Sequence, residues 1–155
     1  MDTTATKLDR ITTKAKREPK FRFTYVKYLL NEEYLFQCFK ELKKKKAAGV
    51  DGETVEDYTE EDIRHVIKET IDRMKRDQYK PQPIRRVFIP KENGKQRALG
   101  IPTVIDKVIQ LGCGKIIRAI WEPKFSVVSY GYREGRDAHA ALKEINHMLM
   151  GKPVN

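Results

Sequence analysis

The sequence has few residues that could form a disulfide, a zinc site or a membrane span. Its two cysteines, Cys38 and Cys113, are far apart and neither belongs to a C-x-x-C pair, so a structural zinc site or redox motif has almost no support. No apolar run approaches the roughly 18 residues of a membrane span, and the N-terminus lacks the apolar core of a signal peptide. We therefore expect reduced thiols in a soluble, cytoplasmic protein with no membrane partner.

Acidic residues are also in short supply. The 155 residues include 32 Lys or Arg against 22 Asp or Glu, which gives a net charge of +10 and a pI near 9.6. The mean hydropathy of −0.67 indicates a thin core under a charged surface, although the length suffices for one domain. The charge favours a polyanionic partner, nucleic acid first, but is equally compatible with a basic protein that has no particular partner.

Paired catalytic carboxylates are absent as well. A polymerase-type site holds its metal ions with at least two Asp or Glu side chains, and no apolar strand in this sequence ends in an Asp pair. Asp51 lies in a glycine turn, and Asp62 and Asp106 have the spacing of helix caps. We therefore predict no catalytic residue, no metal ligand and no cofactor in this chain, and no primer extension by the chain alone.

The most informative stretch is residues 84–103. Residues 84–90 and 96–101 form two short runs with β-branched and aromatic residues, and Asn93-Gly94 between them tolerates the positive φ of a tight primed turn. We predict a β-hairpin. Its cations, offset only by Glu92, suit phosphate: Arg85, Arg86, Lys91, Lys95 and Arg97.

Helical spacing predicts two helices before the hairpin. The first spans about residues 32–46 and is capped by Asn31. The second spans about residues 60–77, opens with the capping pair Thr59 and Asp62, and packs against the first. The last turn of the first helix would contain more cations than its dipole needs, namely Lys43, Lys44, Lys45 and Lys46.

After the hairpin, a broad apolar arc from residue 104 to residue 121 predicts the core helix. Gly112 and Gly114 interrupt it, so either another backbone packs closely there or the helix is weak. Residues 127–132 are typical of a short strand, and a last amphipathic helix over residues 137–150 would stop at Gly151. The fold class predicted is α+β.

Residues 1–30 form a basic arm with eight Lys or Arg and three Asp or Glu. Aromatic side chains are interleaved with the later cations: Phe21, Phe23, Tyr25 and Tyr28. A segment of this kind can fold onto RNA by pairing with phosphates and stacking with bases. The aromatic residues could equally pin the arm to the domain.

Several blocks share an order with one known family. They are Tyr79-Lys-Pro-Gln-Pro, RRVFIPK, NGK, RALGIPT, Ser129-Tyr-Gly-Tyr-Arg and Gly135-Arg-Asp-Ala-His. This order resembles the fingers region of bacterial group II intron reverse transcriptases, the intron-encoded maturases, from TKLDRI at Thr6 to KPVN at the C-terminus. The resemblance implies a fingers domain at residues 31–155, with several helices on a small antiparallel sheet and without the palm that bears the catalytic Asp residues.

The resemblance also assigns residues. It places Lys91 and Arg97 where the family holds the triphosphate of the incoming nucleotide, whereas spacing alone favours two solvated cations. Arg133 and Arg136 fall in a block near the template, as phosphate contacts or as ordinary partners of Glu134 and Asp137. The predicted nucleic-acid contacts are Lys43, Lys44, Lys45, Lys46, Arg85, Arg86, Lys95, Arg133 and Arg136.

The function implied is part of an RNA-directed DNA polymerase and maturase. The complete enzyme would bind intron RNA, an RNA template with its primer duplex, and a dNTP, with Mg²⁺ held outside this chain. A second hypothesis is a stand-alone RNA-binding module without catalysis, and a third, from departures at Ala48, Ala98 and Glu134, is a degenerate fragment that folds poorly. A homodimer through the surface that a palm normally covers is also conceivable.

Overall fold

The computed structural model of the protein describes residues 4–92 and 94–150. Within this part of the chain, five α-helices accompany a two-stranded antiparallel sheet. The elements are α1 (Thr4–Arg17), α2 (Glu32–Glu41), α3 (Glu60–Lys75), β1 (Arg85–Pro90), β2 (Gln96–Ile101), α4 (Val104–Trp121) and α5 (Ala138–Met150). Single 3₁₀ turns occur at Lys27–Leu29, Val55–Asp57 and Glu122–Lys124. The predicted α+β class is confirmed, while the fingers assignment stays a prediction.

The described residues divide into two units. The first contains Phe23–Ile117 together with Thr4, and the second contains Ala5–Arg22 and the residues from Arg118 onward. The boundary that we predicted at residue 30 stays a prediction. None of the helices in the described part of the chain is long and apolar enough to cross a membrane.

The core of the first unit lies where α2 packs against α3. Leu35 and Phe36 of α2, Ile63 and Ile67 of α3 and Val108 of α4 are almost fully buried. Large apolar side chains of this kind stabilise the fold by about 1.5 to 3 kcal/mol each when removed from water. The predicted packing of the two helices before the hairpin, α2 and α3, on each other is therefore confirmed.

Helix α4 is continuous through both of its glycines. A Cβ added at Gly112 would lie 3.1 Å from Leu35 Cδ2, and the Tyr34 hydroxyl donates to the Gly112 carbonyl at 2.9 Å. Side chains of α2, rather than another backbone, therefore pack closely against Gly112. A Cβ added at Gly114 would meet no atom within 4 Å, and nothing in the structure explains why this position is glycine.

The helix caps predicted from spacing are all present. The Asn31 side chain accepts from the Tyr34 amide at 3.0 Å at the start of α2. At the start of α3, Thr59 Oγ1 accepts from the Asp62 amide at 3.2 Å, and the Asp62 carboxylate accepts from the Thr59 amide at 3.3 Å. Two hydrogen bonds from Thr59 lower the pKa of Asp62, and the bond from the Thr59 side chain has a larger effect than the bond from its amide. These local side-chain bonds set where each helix begins.

A buried carboxylate fixes the connection between α3 and the hairpin. Asp106, which is 2% exposed, accepts from Thr103 Oγ1 at 2.9 Å, from the Gln82 amide at 3.0 Å and from the Tyr79 hydroxyl. Burial, together with the hydrogen bond to Asp106, raises the pKa of Tyr79 above its ordinary range. The predicted cap of α4 therefore also anchors the extended, proline-containing segment that leads into β1.

Two helices end earlier than we predicted. Helix α2 ends at Glu41, and Leu42 adopts an extended conformation with ψ of 135°, so the expectation that Lys43 to Lys46 form its last turn was wrong. Four consecutive ammonium groups repel one another, and this repulsion disfavours a compact helical turn. Helix α3 ends at Lys75, and Asp77 has a positive φ of 55° that cannot continue a right-handed helix.

The short strand that we predicted at residues 127–132 was also wrong. These residues form turns, and Tyr132 has a φ of 57°. A strand needs a partner for its carbonyls, whereas here arginine side chains take them up. Helix α5 begins at Ala138 and is capped by Asp137, whose carboxylate accepts from the Ala140 amide at 2.7 Å. The stop predicted at Gly151 and the KPVN block lie outside the described residues.

Candidate nucleic-acid interface

The predicted hairpin forms, but its register differs by one residue from the register that a tight Asn93-Gly94 turn would give. Val87 pairs with Leu99 and Ile89 with Arg97 across the two strands. The Lys91 amide donates to the Lys95 carbonyl at 2.7 Å, and Gly94, with a φ of 74°, donates to the Lys91 carbonyl at 3.0 Å. A three-residue loop with a left-handed glycine therefore closes the hairpin instead of a tight primed turn. Asn93 lies outside the described residues.

Alternation along the strands sorts the cations between the two faces of the ribbon. Lys91 and Arg97 belong to the same face, because the Lys91–Lys95 bond continues the ladder that pairs Ile89 with Arg97. They are diagonal neighbours near the tip. Arg85 has the same parity but lies, along the strand, about 20 Å from Lys91 and about 13 Å from Arg97, at roughly 3.3 Å per residue. Arg86 belongs to the opposite face. The structure thus brings Lys91 and Arg97 together, as predicted, and separates both from Arg85 and Arg86.

Neither face of the ribbon is buried. Phe88 is 57% exposed and Leu99 is 42% exposed, while Ile101 at the base is buried. Lys91 and Arg97 are both exposed, and among the residues that the structure describes neither side chain makes a hydrogen bond or an ion pair. Both cations are therefore available to a ligand.

The predicted lysine run follows α2 as an exposed loop. Its side chains, Lys43, Lys44, Lys45 and Lys46, are all exposed. A Cβ added at Gly49 would lie only 2.7 Å from Thr103 Cα, so the backbone after the run lies directly on the start of α4. Only glycine permits this approach, and it fixes the end of the lysine run beside α4.

Lys107 joins the lysine run to the base of the hairpin, and we did not predict it from the sequence. Its ammonium group donates to the Ala47 carbonyl at 2.9 Å. Burial lowers the pKa of Lys107, the positive charges of Arg85 and Lys46 lower it further, and Asp51 opposes them. Lys46, Arg85 and Lys107 therefore form one basic surface. The sequence feature that could have identified Lys107 is its position, since it is a cation near the start of a largely apolar core helix.

Arg133 is engaged by the fold. Its side chain is 9% exposed, and its guanidinium donates to Glu122 at 2.7 and 2.9 Å and to the carbonyls of Ser126 at 2.9 Å and Ser129 at 2.8 Å. The guanidinium carbon also lies 5.3 Å from the Phe125 ring centroid. These contacts give Arg133 a structural role, and its assignment as a phosphate contact stays a prediction.

Arg136 supports the same loop. It donates to the carbonyls of Val127 and, at 3.2 Å, of Ser129, and its guanidinium lies 5.1 Å from the Tyr130 ring centroid. The alternative partners that we considered for the two arginines were wrong, because Glu134 pairs with Arg118 and Asp137 caps α5. A phosphate contact by Arg136 stays a prediction.

The carboxylates that the sequence placed in a turn or at helix caps, rather than in a metal site, have structural partners. Asp51 accepts from the Glu53 amide at 3.2 Å, and Asp62 and Asp106 cap helices. Within residues 4–92 and 94–150, no three His, Cys, Asp or Glu side chains are grouped so that they could hold a metal ion.

Sequence comparison shows the family to which this chain belongs. The chain is 36% identical to the group II intron-encoded protein LtrA of Lactococcus lactis subsp. cremoris over 149 residues, which cover 93% of this chain and 24% of LtrA. The chain belongs to the group II intron-encoded proteins. The resemblance seen in the sequence blocks is thereby confirmed, and the chain spans about a quarter of the length of LtrA.

Two further proteins are similar to this chain. A 91 kDa protein in the cob intron of Schizosaccharomyces pombe is 30% identical over 145 residues, which cover 90% of this chain and 18% of that protein. Protein YkfC of Escherichia coli strain K12 is 44% identical over 71 residues, which cover 46% of this chain and 19% of YkfC. No protein-family model matches the chain.

Proposed function

We propose that this chain is the fingers portion of a group II intron-encoded RNA-directed DNA polymerase and maturase, and that it binds the RNA template and the incoming nucleotide. The family membership supports the general role. The assignment of nucleotide and template contacts rests on the placement of the cations in the first unit.

The observation that carries the nucleotide proposal is the pair Lys91 and Arg97. Both belong to one face near the hairpin tip and lack partners among the described residues. A lysine supplies a mobile point charge, and an arginine supplies a planar fork that can bond two phosphate oxygens at once. Together they would neutralise and orient a triphosphate chain.

The template proposal rests on the basic surface at the other end of the hairpin. Lys107 donates to the carbonyl of Ala47 next to Lys46, and Arg85 pairs with Ile101 just before α4, so the three cations lie on neighbouring segments, and the remainder of the lysine run extends this surface. Contacts of this kind bind phosphates without reading sequence and supply most non-specific affinity. We therefore assign this surface to the RNA backbone.

In the described part of this chain, no group of three His, Cys, Asp or Glu side chains could hold the Mg²⁺ ions that the family implies. Its candidate carboxylates cap helices or close a turn, so no step of the proposal passes through a metal ion. Carboxylates of a palm domain would hold the metal ions and activate the primer terminus. The contribution of this chain would be positioning and charge neutralisation.

The proposal is tested in a complete protein that contains this domain. Arg97→Ala removes one charge-assisted contact of about 1.5 to 3 kcal/mol, so kcat/KM for the dNTP should fall roughly 10-fold to 150-fold with little change in template affinity. Arg97→Lys should recover part of the loss. The matched control is Arg86→Ala, on the opposite face of the same ribbon, which should leave the nucleotide dependence unchanged. If Arg97→Ala weakens template binding instead, the residue serves RNA and the nucleotide assignment is wrong.

A stand-alone RNA-binding module remains the second candidate. The observation that favours it is that the Lys46, Arg85 and Lys107 surface is complete within the first unit and needs no catalytic group. In this case RNA binding should persist and Arg97→Ala should have no nucleotide phenotype.

A further inference from the structure

A groove in the first unit lies between the 3₁₀ turn Lys27–Leu29 and helix α3, and none of the roles above uses it. Its volume is about 550 Å³, which lies in the range of about 300 to 1,000 Å³ typical of small-ligand sites. Leu30, Ile71 and Met74 line its apolar part. The groove can therefore hold a planar group of moderate size.

Two tyrosines form an aromatic wall of this groove. The rings of Tyr25 and Tyr28 are stacked with centroids 6.0 Å apart and an interplanar angle of 15°. Tyr25 is 76% exposed and Tyr28 is 50% exposed. Exposed, near-parallel aromatic planes are the feature on which proteins stack unpaired bases.

Most charges in the groove neutralise one another. The Lys27 ammonium donates to the Met74 carbonyl at 2.7 Å and pairs with Asp77 at 3.1 Å, and Lys75 pairs with Asp72 at 3.3 Å. The two contacts of Lys27 hold the 3₁₀ turn against the end of α3. A ligand of the groove would therefore gain little from bulk charge.

Two charged groups remain. Lys68 and Glu32 both line the groove, and among the residues described neither makes an ion pair or a hydrogen bond through its side chain. One offers three donors and the other offers only acceptors. This combination suits a ligand that has an anionic group beside a ring with amino groups.

We propose that this groove binds an unpaired base of single-stranded RNA. The base stacks on Tyr25 and Tyr28, its exocyclic amino group donates to the Glu32 carboxylate, and Lys68 contacts an adjacent phosphate. The inference rests on the proposed function only in taking RNA as the ligand, because none of these residues belongs to the hairpin or the lysine run. Stacking supplies most of the affinity of this site, and Lys68 adds a single phosphate contact.

The test compares Tyr25→Ala/Tyr28→Ala with Tyr25→Phe/Tyr28→Phe in the full chain, and the probe is a fluorescent 12-nucleotide oligo(A). Stacking one base contributes enough that the alanine variant should lose roughly 5-fold to 150-fold in affinity, at an unchanged salt slope. The phenylalanine variant keeps the ring planes and should bind as the unaltered chain does. Inorganic polyphosphate, which has no bases, should bind all three proteins equally.

Single substitutions at the two unpartnered charges provide an independent arm, because both side chains lie at the groove and neither supports the fold through a bond. Glu32→Gln should lower the preference for oligo(A) over oligo(U) several-fold, since uracil has no exocyclic amino group. Lys68→Gln should reduce the salt slope by about 0.7.

Each outcome separates the two proposals. If oligo(A) binding depends on salt but is unchanged by the tyrosine and Glu32 substitutions, the groove proposal is wrong and the cationic interface stands. If binding of oligo(A) and polyphosphate falls equally in the alanine variant, the tyrosines support the fold rather than a base. If the unaltered chain binds no RNA in dilute buffer, both proposals are overturned.

Discussion

The hairpin and the loop before α5 both contain arginines that family blocks assign to phosphate. The hairpin arginine is exposed and has no partner in the part of the chain that the structure describes, whereas the loop arginines donate to backbone carbonyls. In the hairpin, Arg97 and Lys91 have no partner among the described residues and are exposed. In the loop, Arg133 and Arg136 donate to backbone carbonyls, and the Arg133 side chain is only 9% exposed. The paired strands satisfy their own carbonyls, whereas a loop without a ladder requires side-chain donors. All the donors of a cation are available to a ligand only where no backbone carbonyl accepts from it.

The largest expected effect tests the structural role of the loop. Arg133→Ala removes the donors to the Glu122 carboxylate and one of the two donors to each of the Ser126 and Ser129 carbonyls, so the free energy of unfolding should fall by about 2 to 4 kcal/mol. Urea unfolding monitored by circular dichroism measures this. Arg86→Ala is the exposed control and should change stability by less than about 0.5 kcal/mol. If the two variants were equally stable, the bonds of Arg133 would not stabilise the fold, and the proposed difference between bonded and unbonded arginines would be wrong.

A smaller effect is expected where the chain enters the hairpin. Tyr79→Phe removes a hydrogen bond to buried Asp106 and should lower the free energy of unfolding by about 1 to 3 kcal/mol. Because the folded state raises the pKa of Tyr79, this contribution is fully present below the unfolded pKa near 10 and is lost as pH rises above it.

The pH dependence gives this prediction a second readout. Unfolding measured between pH 8 and 11 should show a steeper alkaline loss of stability in the unaltered chain than in Tyr79→Phe. Parallel curves would mean that the Tyr79 hydroxyl does not interact with Asp106 in solution.

The smallest effect concerns Lys107, a half-buried cation whose ammonium group donates to the Ala47 carbonyl and has further donors to offer. Lys107→Gln removes one charge of the surface that includes Lys46 and Arg85, and should weaken RNA binding several-fold while lowering the salt slope by about 0.7. The control is Lys115→Gln, since Lys115 pairs with Glu41 and does not line the groove of Tyr25 and Tyr28. Fluorescence anisotropy with a single-stranded RNA measures both variants, and equal losses would place Lys107 outside the interface.

Local signals in the sequence predicted much of this fold. Side chains that bond within three or four residues, such as Thr59 with Asp62, fixed the helix starts, and the two short runs around Gly94 predicted the two strands although not their register. These features depend on neighbours along the chain, so spacing is sufficient to infer them.

Contacts between distant residues could not be inferred in the same way. The role of Lys107 depends on a carbonyl 60 positions earlier, and the expected strand at residues 127–132 failed because Arg133 and Arg136 take its carbonyls. We predicted the lysine run as a basic feature but placed it wrongly in the last turn of a helix. Helix propensity is a property of single residues and does not include the repulsion among four adjacent ammonium groups. The packing of α2 side chains over Gly112 likewise required the tertiary structure.

The central claim is that cations left unpaired by the fold bind the RNA backbone. The direct measurement is the affinity of the chain for single-stranded RNA over a range of salt concentrations, with and without Lys43, Lys44, Lys45 and Lys46 replaced by Gln. The logarithm of the affinity should fall linearly with the logarithm of salt concentration, at about −0.7 per phosphate contact, and the fourfold variant should have a slope shallower by up to about 2.8. Binding that is insensitive to salt, or a variant slope equal to that of the unaltered chain, would contradict the claim.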